Sequence, residues 1–271
     1  MKFSVVICVY GKDNSKHFQQ AMDSIIKQTL LPDDIVIVVD GPVPLSIENI
    51  IKFYEVKKEV RVKRLQKNQG HGNARRIGLR LAKFDYVALM DADDISMEDR
   101  FERQIFIAEN HPEYSVIGGN IEEFDDATGN SLGKRIVPEK DYEIKKYLQS
   151  RCPFNQMTVL LKKADVEKAG GYLDWYFNED YYLWIRMALS GAIFYNCQAI
   201  LVRVRSGNDM YKRRGGWKLF INESKLYWYM YKNKLIPAIH CVYNIILRLL
   251  VQVLMPNSVR RIVYRKFARE K

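Results

Sequence analysis

Several features that define common classes of protein are absent from this chain of 271 residues. Its four cysteines form no CxxC pair, which argues against a disulfide framework or a zinc site and fits a reducing compartment. We expect buried structural thiols at Cys8, Cys152, Cys197 and Cys241. The apolar run Phe3–Tyr10 is too short for a signal peptide and lacks its basic leader and cleavage site.

The glycine patterns of two nucleotide-binding loops are also absent. A dinucleotide fingerprint, Gly-x-Gly-x-x-Gly, should follow the first strand, but Phe3–Tyr10 is followed by the single glycine Gly11. The same spacing argues against a phosphate-binding P-loop. No internal repeat or low-complexity linker divides the chain.

Basic residues outnumber acidic ones, and the formal net charge is +11. This excess predicts an anionic partner, which could be nucleic acid, a phosphorylated substrate or an acidic membrane surface. The apolar stretch Leu235–Met255 is long enough for a membrane segment. However, it makes a poor free-standing transmembrane helix because it contains Pro237, His240, Asn244, Arg248 and Gln252.

Short apolar runs alternate with helical patterns in the first half of the chain, which indicates an α/β fold with a parallel sheet covered on both faces. Ligands of such sheets bind beyond the C-terminal ends of the strands, where the loops at Asp40, Asn68–Gly70 and Asp91 lie. The pattern predicts strands at Phe3–Val9, Ile35–Val39, Val60–Leu65 and Asp85–Met90, and helices at His17–Gln28, Ile47–Tyr54, Asn73–Leu81 and Met97–Ala108.

The pattern is looser from about residue 115. Strands are predicted at Ser115–Ile121 and Thr158–Leu161, a turn-rich link at Asp125–Gly133, and helical segments at Asp141–Leu148 and Leu183–Leu189. Residues beyond about Trp217 are predicted to be helical and are rich in aromatic and basic side chains.

The most informative segment is Tyr86–Asp94, an apolar run that ends in three carboxylates. Alternate side chains of a strand share a face, so Asp91 and Asp93 could converge on one cation. Paired carboxylates suit Mg²⁺ or Mn²⁺, which commonly bridge to substrate phosphates. The alternative is an acidic turn in which Asp94 or Ser96 caps a helix that begins near residue 97. This segment alone leaves both interpretations open.

Two other loops place polar groups at strand ends. Asp40 could accept hydrogen bonds from a nucleobase or a ribose hydroxyl, although an ordinary Asp-Gly turn with Gly41 is the alternative. The segment Asn68–Gly78 runs from a strand end into a helix and offers backbone N–H groups and basic side chains to an anion. His71 within it is interpreted as a loop or packing histidine.

A fourth segment, Asn178–Arg186, begins with an acidic pair and leads into an aromatic-rich helix. Glu179 and Asp180 would be favourably placed at the positive end of the helix dipole. Alternatively, one of them is a general base. A single base with a metal and no second acid is expected when the leaving group is a phosphate.

Taken together in this order and spacing, the segments resemble those of the family 2 glycosyltransferases, nucleotide-sugar-dependent enzymes of the GT-A type, over roughly residues 1–215. Ser4–Tyr10 is similar to the family's opening strand, Val39–Pro42 to its nucleoside-contact turn, Asn68–Gly78 to its Asn-x-Gly-x-x-x-Ala-Arg-Asn-x-Gly segment, Met90–Asp94 to its metal turn, and Gly170–Tyr172 with Glu179–Arg186 to its acceptor-side motif.

The chain departs from the family pattern at two places. Val39-Asp40 stands where the family often has two adjacent aspartates, and Arg75-Arg76 stands where it has Arg-Asn, which adds a positive charge near the site. The single aspartate followed by Gly-Pro resembles the branch that builds bacterial surface polysaccharides such as O-antigen or capsule, whose acceptors are lipid-linked sugars.

The resemblance implies a GT-A fold, a Rossmann-like, mostly parallel sheet flanked by helices. Residues 1–215 would form the catalytic domain, with 1–115 binding the nucleotide sugar and 116–215 the acceptor. The composition of residues 216–271 predicts a helical, basic, membrane-associating extension, since 256–271 hold six basic residues against one acid. The protein is then expected in the cytoplasm, held peripherally on the anionic inner face of the plasma membrane. The alternative for residues 216–271 is a pair of helices packed on the catalytic body, or a dimer contact.

The resemblance also implies an inverting, metal-dependent hexosyltransferase. Its donor would be a nucleotide sugar, most often uridine-based, and its acceptor a lipid-diphosphate-linked saccharide, with no nucleic-acid partner. Asp180 would be the catalytic base, and Asp93 with Asp91 would hold Mn²⁺ or Mg²⁺. Donor contacts are expected from Asp40, Gly41, Asn68, Gly70, Arg75, Asp91, Arg213 and Arg214, and acceptor contacts from Glu179, Trp184 and Asn155.

Two other functions explain part of the pattern. A sugar-nucleotide pyrophosphorylase shares a Rossmann-like sheet and metal aspartates, but it would need a glycine-rich loop after the first strand, which Val9–Asp13 does not supply. A non-catalytic basic module that binds nucleic acid or a membrane surface would explain the charge. It would not explain the ordered acidic motifs at strand ends.

Overall fold

The structure is a computed structural model that describes residues 1–206 and 215–256. The first half alternates strands and helices as predicted, with boundaries that differ by three residues or fewer. Its elements are β1 (Phe3–Tyr10), α1 (Ser15–Ile26), β2 (Asp34–Asp40), α2 (Leu45–Glu55), β3 (Val60–Arg64), α3 (His71–Leu81) and β4 (Tyr86–Asp91).

The second half contains more strand than the sequence predicts. Four elements in it have no predicted counterpart, namely β5, β7, α6 and the long strand β9. The elements are β5 (Ile95–Ser96), α4 (Arg100–Asn110), β6 (Tyr114–Phe124), β7 (Ser131–Arg135), α5 (Asp141–Leu148), β8 (Leu160–Lys162), α6 (Lys163–Lys168), α7 (Glu179–Leu189) and β9 (Ile193–Arg205).

Within the described residues, nine strands form one sheet in the order β3-β2-β1-β4-β8-β6-β9-β5, with β7 paired to β6. The strands β3, β2, β1 and β4 are parallel, as are β6 and β9, whereas β8 is antiparallel to both of its neighbours. The sheet is therefore mixed and mostly parallel. Because β1, β2 and β4 run in the same direction, their C-terminal ends meet at one edge.

The sheet is covered on both faces because its central strands are apolar on both sides. All seven residues of β2 are buried, and alternate side chains of each strand enter two separate cores. Helix α3 lies directly on β1 because Gly78 has no side chain. A Cβ at that position would be 2.3 Å from Cγ1 of Val6. Because β3 is parallel to its neighbour β2 and α3 follows its end, α3 begins at the C-terminal edge of the sheet.

The turn after β4 differs from the capped helix that was the alternative interpretation. Ser96 lies in the short strand β5, which pairs with β9, and α4 begins only at Arg100. The carboxylate of Asp94 is buried and accepts a hydrogen bond of 3.1 Å from the backbone N–H of Arg205. Neither Asp94 nor Ser96 caps a helix, so that interpretation is wrong.

The C-terminal region folds into the helices α8 (Trp217–Lys232) and α9 (Ala238–Arg248), and α9 continues as the π-helical turn Leu249–Leu254. Buried side chains of both helices belong to the same core as α7. In the part of the chain that the structure describes, no helix combines the length and apolar character needed to cross a bilayer. Arg213, Arg214 and the basic residues 257–271 lie outside the described residues.

All four cysteines are free thiols, as expected. Only Cys241 is fully buried, whereas the other three are partly accessible, so the expectation of uniform burial is wrong.

Candidate active site

Asp40 holds the loop that follows β3. Its carboxylate accepts hydrogen bonds from the backbone N–H groups of Gln69 at 2.7 Å and Gly70 at 3.0 Å, while the Asn68 amide donates to its carbonyl oxygen at 3.3 Å. Gly41 has a φ of +87°, and a Cβ there would be 2.6 Å from the backbone nitrogen of Asn68. The structure thus brings these four predicted positions together. Each carboxylate oxygen of Asp40 keeps a further lone pair for a ligand.

Arg75 links the donor-side and acceptor-side motifs. Its Nη2 donates to Oδ1 of Asp91 at 2.8 Å, and its Nη1 donates to Oε1 of Glu179 at 3.2 Å. The guanidinium is nearly buried, so both ion pairs are shielded from water. One side chain therefore joins the start of α3, the end of β4 and the start of α7.

Three carboxylates cluster where β1 and β4 end. Desolvation of the carboxylate by surrounding protein and the charge of Asp91 raise the pKa of Asp93. Burial, together with the charges of Asp93 and Asp91, raises the pKa of Asp13 to about 6. Asp13 was not predicted as a site residue, although it follows β1 at the same edge as the other predicted loops. It accepts a hydrogen bond of 2.9 Å from the backbone N–H of Tyr10.

The donor atoms at this edge fit a divalent cation that is shared with a substrate. Within residues 1–206 and 215–256, no three or more His, Cys, Asp or Glu side chains are grouped to hold a metal ion by themselves. Asp91 and Asp93 supply hard carboxylate oxygens, and Mg²⁺ and Mn²⁺ commonly complete their coordination with phosphate oxygens and water. The metal remains a prediction.

Asp180 lies in the first turn of α7, where burial and the charge of Glu179 raise its pKa to about 6. Its Oδ1 accepts a hydrogen bond of 2.6 Å from the backbone N–H of Tyr181, and the thiol of Cys152 lies 3.9 Å from its Oδ2. A carboxyl group with this pKa is ionised at neutral pH and is still a stronger base than an ordinary aspartate.

Two cavities flank the start of α7. One of about 570 Å³ lies between residues 69–73 and residues 174–179, and Glu179 lines it. The other, of about 430 Å³, contains Asp180. Phe177 lines both and has a φ of +58°, an uncommon conformation for a bulky residue. The acidic pair thus presents one carboxylate to each cavity.

The side chains of two residues that were expected to contact the acceptor, Asn155 and Trp184, contact other parts of the protein instead. Asn155 lines the cavity of Asp180, but its amide donates to the Gly119 carbonyl and accepts from Arg135, both at 2.8 Å. Trp184 lies one helical turn beyond Asp180, where α7 has entered the core. It is 0% exposed and packs against Phe154. An acceptor contact does not fit this position, and the role of Trp184 is corrected to packing.

Comparison with known proteins agrees with this geometry. Residues 4–167 match the family described as Glycosyl transferase family 2. Over 268 residues the chain is 34% identical to the UDP-Gal:alpha-D-GlcNAc-diphosphoundecaprenol beta-1,3-galactosyltransferase of Escherichia coli, covering 99% of this chain and 97% of that protein. It is 35% identical over 264 residues to the amylovoran biosynthesis glycosyltransferase AmsE of Erwinia amylovora, covering 97% and 98%.

A solved structure shares the fold. S. aureus TarS 1-349 in complex with UDP-GlcNAc is similar with a TM-score of 0.67 and 17% identity, over 92% of this chain and 73% of that one. The chain belongs to glycosyl transferase family 2 and has the GT-A fold that the sequence motifs implied. The protein is a glycosyltransferase. Membership of this family does not support the alternative functions of a sugar-nucleotide pyrophosphorylase or a non-catalytic binding module.

Proposed function

We propose that this protein is an inverting glycosyltransferase of bacterial surface polysaccharide synthesis. It moves a sugar from a nucleotide diphosphate sugar, expected to be a UDP-sugar, to a hydroxyl of a lipid-diphosphate-linked saccharide. The observation that carries the proposal is the bridge from Asp91 through Arg75 to Glu179, the neighbour in sequence of the candidate base Asp180.

The relatives support the substrate classes. The name of the E. coli relative specifies a UDP-linked donor and a diphosphoundecaprenol acceptor, and that of AmsE specifies amylovoran biosynthesis. TarS, which shares the fold, was solved with UDP-GlcNAc. We carry these classes to this chain because the matches to both relatives extend over nearly its whole length.

Residues at the strand ends would bind the donor. Asp40 fixes the loop at Asn68–Gly70 and keeps acceptor capacity for the nucleoside. Arg75 supplies a fixed positive charge beside the position where a diphosphate would lie against Asp91. A Mn²⁺ or Mg²⁺ ion bound by Asp93 and Asp91 would supply positive charge that stabilises the departing diphosphate.

Asp180 would remove the proton from the acceptor. The acceptor hydroxyl oxygen forms a bond to the anomeric carbon while the bond from that carbon to the diphosphate oxygen breaks, and the electron pair leaves with the nucleoside diphosphate. The hydroxyl proton passes to the carboxylate of Asp180. Attack opposite the leaving group inverts the anomeric configuration. Glu179 assists because its negative charge raises the basicity of Asp180.

An exposed apolar face supports contact with a membrane surface. Along α9 and its continuation, exposed apolar side chains recur once per helical turn and form one stripe, namely Ile239, the adjacent pair Val242 and Tyr243, Ile246 and Leu250. Exposed lysines precede this helix in the chain, at Lys225 and Lys232 of α8 and at Lys234 in the turn between the two helices. Apolar side chains beside cations suit an interface with anionic lipid. This surface would hold the enzyme at the membrane that carries its acceptor.

A donor screen tests the proposal. Thermal unfolding is measured with Mn²⁺ and UDP-, GDP- or dTDP-sugars, and the stabilising donor is then incubated with a lipid-diphosphate-linked saccharide. We expect a UDP-sugar to raise the unfolding temperature and to be consumed only when the acceptor is present. Absence of stabilisation by every donor, with no transfer, would contradict the proposal.

A further inference from the structure

The C-terminal helices form part of the wall of the cavity that contains Asp180. Leu219 and Glu223 of α8 and Arg248 of α9 line it together with side chains of the catalytic body. The helices are therefore more than an appendage, because they help to shape the space in front of the candidate base.

A short segment between α5 and Asn155 is fixed to these helices. The Asn244 amide donates to the Gln149 carbonyl at 2.9 Å, and the Ser150 carbonyl accepts from Tyr227 Oη and Arg248 Nη2, both at 2.9 Å. On the other side of Arg151, the Cys152 carbonyl accepts from an arginine of β7 at 2.7 Å. The backbone of Arg151 is thus held from both sides at the cavity wall.

Three arginines and three carboxylates line this cavity. Arg248 lies 2.9 Å from Oε2 of Glu223 and forms an ion pair with it. Arg135 donates to neutral oxygens of the segment 152–155. Arg151 stacks on Tyr147, with 5.5 Å between its guanidinium carbon and the ring centroid. Among the described residues no carboxylate forms an ion pair with Arg151, so its charge is available to a bound anion. The other two carboxylates are Asp180 and the buried Glu123.

This cavity and an exposed apolar surface share helix α9. The helix contributes Arg248 to the cavity wall, and further around the same helix Ile246, Leu247 and Leu250 are exposed to solvent. An amphiphile with an anionic head and a hydrocarbon chain matches this arrangement, because the head needs a cation and the chain needs apolar surface. A soluble nucleotide has no hydrocarbon chain that could bind to the apolar surface.

We infer that this cavity binds the diphosphate of the lipid-linked acceptor through Arg151, and that the hydrocarbon chain leaves across the exposed face of α9. The inference rests on the proposed function and adds to it the place where the acceptor diphosphate is recognised. Binding there sets the saccharide hydroxyl in front of Asp180. Arg151 is a specificity residue, because an acceptor without a diphosphate cannot use it.

Calorimetry with farnesyl diphosphate tests the inference, using full-length protein with UDP and Mn²⁺ at saturation so that the donor site is filled. We expect Arg151→Gln to weaken farnesyl diphosphate binding about tenfold, as for loss of one charge-assisted hydrogen bond, and Arg151→Lys to recover most of the affinity. Farnesol should bind all these proteins weakly and equally. The matched control is Arg103→Gln, which removes an exposed arginine on α4 and should bind as the wild type does.

Three outcomes would overturn the inference. Arg151→Gln could bind farnesyl diphosphate as well as the wild type, it could weaken farnesol equally, or saturating UDP could abolish farnesyl diphosphate binding, which would place that diphosphate in the donor site. A titration with UDP in the same experiment distinguishes failure of the proposed function from failure of this inference. Loss of UDP binding in the wild type would contradict the proposed function, whereas normal UDP binding with an indifferent Arg151 would overturn this inference alone.

Discussion

Nη2 of Arg75 lies 2.8 Å from Oδ1 of Asp91, and the same guanidinium reaches Glu179 at 3.2 Å. Because Glu179 stands 104 residues further along the chain, this contact joins the two halves of the site. The bridge connects the end of β4 to the start of α7. It also leaves two carboxylates dependent on one cation.

Replacement of Arg75 should therefore destabilise the fold. We expect Arg75→Gln to lower the free energy of unfolding by about 3 kcal/mol, because two partly buried carboxylates lose their counter-ion. Urea denaturation without ligand measures the change. The control Arg103→Gln removes the exposed pair with Asp99 and should cost less than about 1 kcal/mol. Equal effects of the two variants would contradict a structural role for the bridge.

Removal of the candidate base should abolish catalysis and spare donor binding. We expect Asp180→Asn to lower kcat by about 10²–10⁴-fold, the usual contribution of general-base catalysis, with an unchanged Kd for UDP. Transfer is measured by the release of UDP. Glu98→Gln, a neutralised carboxylate exposed between β5 and α4, is the control and should keep full activity. Near-normal turnover of Asp180→Asn would show that another group takes the proton.

The pH dependence of activity should follow the pKa of Asp180, which is raised to about 6. A base must be ionised to act, so kcat/KM should be constant above pH 6 and fall about tenfold per pH unit below it. Glu179→Gln removes a negative charge that raises this pKa, so the fall should begin at a lower pH.

The same variant separates Asp180 from Asp13, whose pKa is also raised to about 6. The charges that raise the pKa of Asp13 are those of Asp93 and Asp91. If kcat/KM of Glu179→Gln still begins to fall at pH 6, the group that titrates is not Asp180.

Metal removal should weaken donor binding through Asp93. We expect EDTA to reduce the affinity of the wild type for UDP, and Asp93→Asn to bind UDP equally weakly with or without Mn²⁺. Calorimetry in the presence of Mn²⁺, and again in the presence of excess EDTA, measures the affinity of both proteins for UDP. UDP binding that is unchanged by EDTA would contradict the prediction that a divalent cation takes part in donor binding.

The exposed face of α9 should bind anionic membranes. Ile246 is 52% exposed, and Ile246→Asp should weaken sedimentation with phosphatidylglycerol vesicles about tenfold or more, because a charge replaces an apolar side chain that would enter the lipid. Phe106→Asp on α4 is the control, since Phe106 is 66% exposed on another helix. Equal sedimentation of both variants and the wild type would rule out this face as the docking surface.

The sequence predicted the half of the fold in which strands are buried on both faces. β1, β2 and β4 read as continuous apolar runs, so their positions were visible without tertiary information. Strand β9 was not predicted, because polar residues interrupt it and its register with β6 shifts at Asn120. That irregularity depends on a partner 80 residues away, which local periodicity does not encode.

The site was predicted where its residues follow one another at strand ends. Asp40 and Gly70 meet as expected, because parallel strands end at the same edge. The contact from Arg75 to Glu179 could not be predicted, because it depends on how α7 packs across the cleft. For the same reason Trp184 was assigned to the acceptor, although its helix had already entered the core.

The anomeric configuration of the product tests the central claim most directly. The donor selected in the thermal screen is incubated with a lipid-diphosphate-linked saccharide, and the new glycosidic bond is read from its NMR coupling constant. A single base at Asp180 and direct displacement require inversion, so an α-linked donor should give a β-linked product. An α-linked product would contradict the account, because retention needs a second displacement that these residues do not provide.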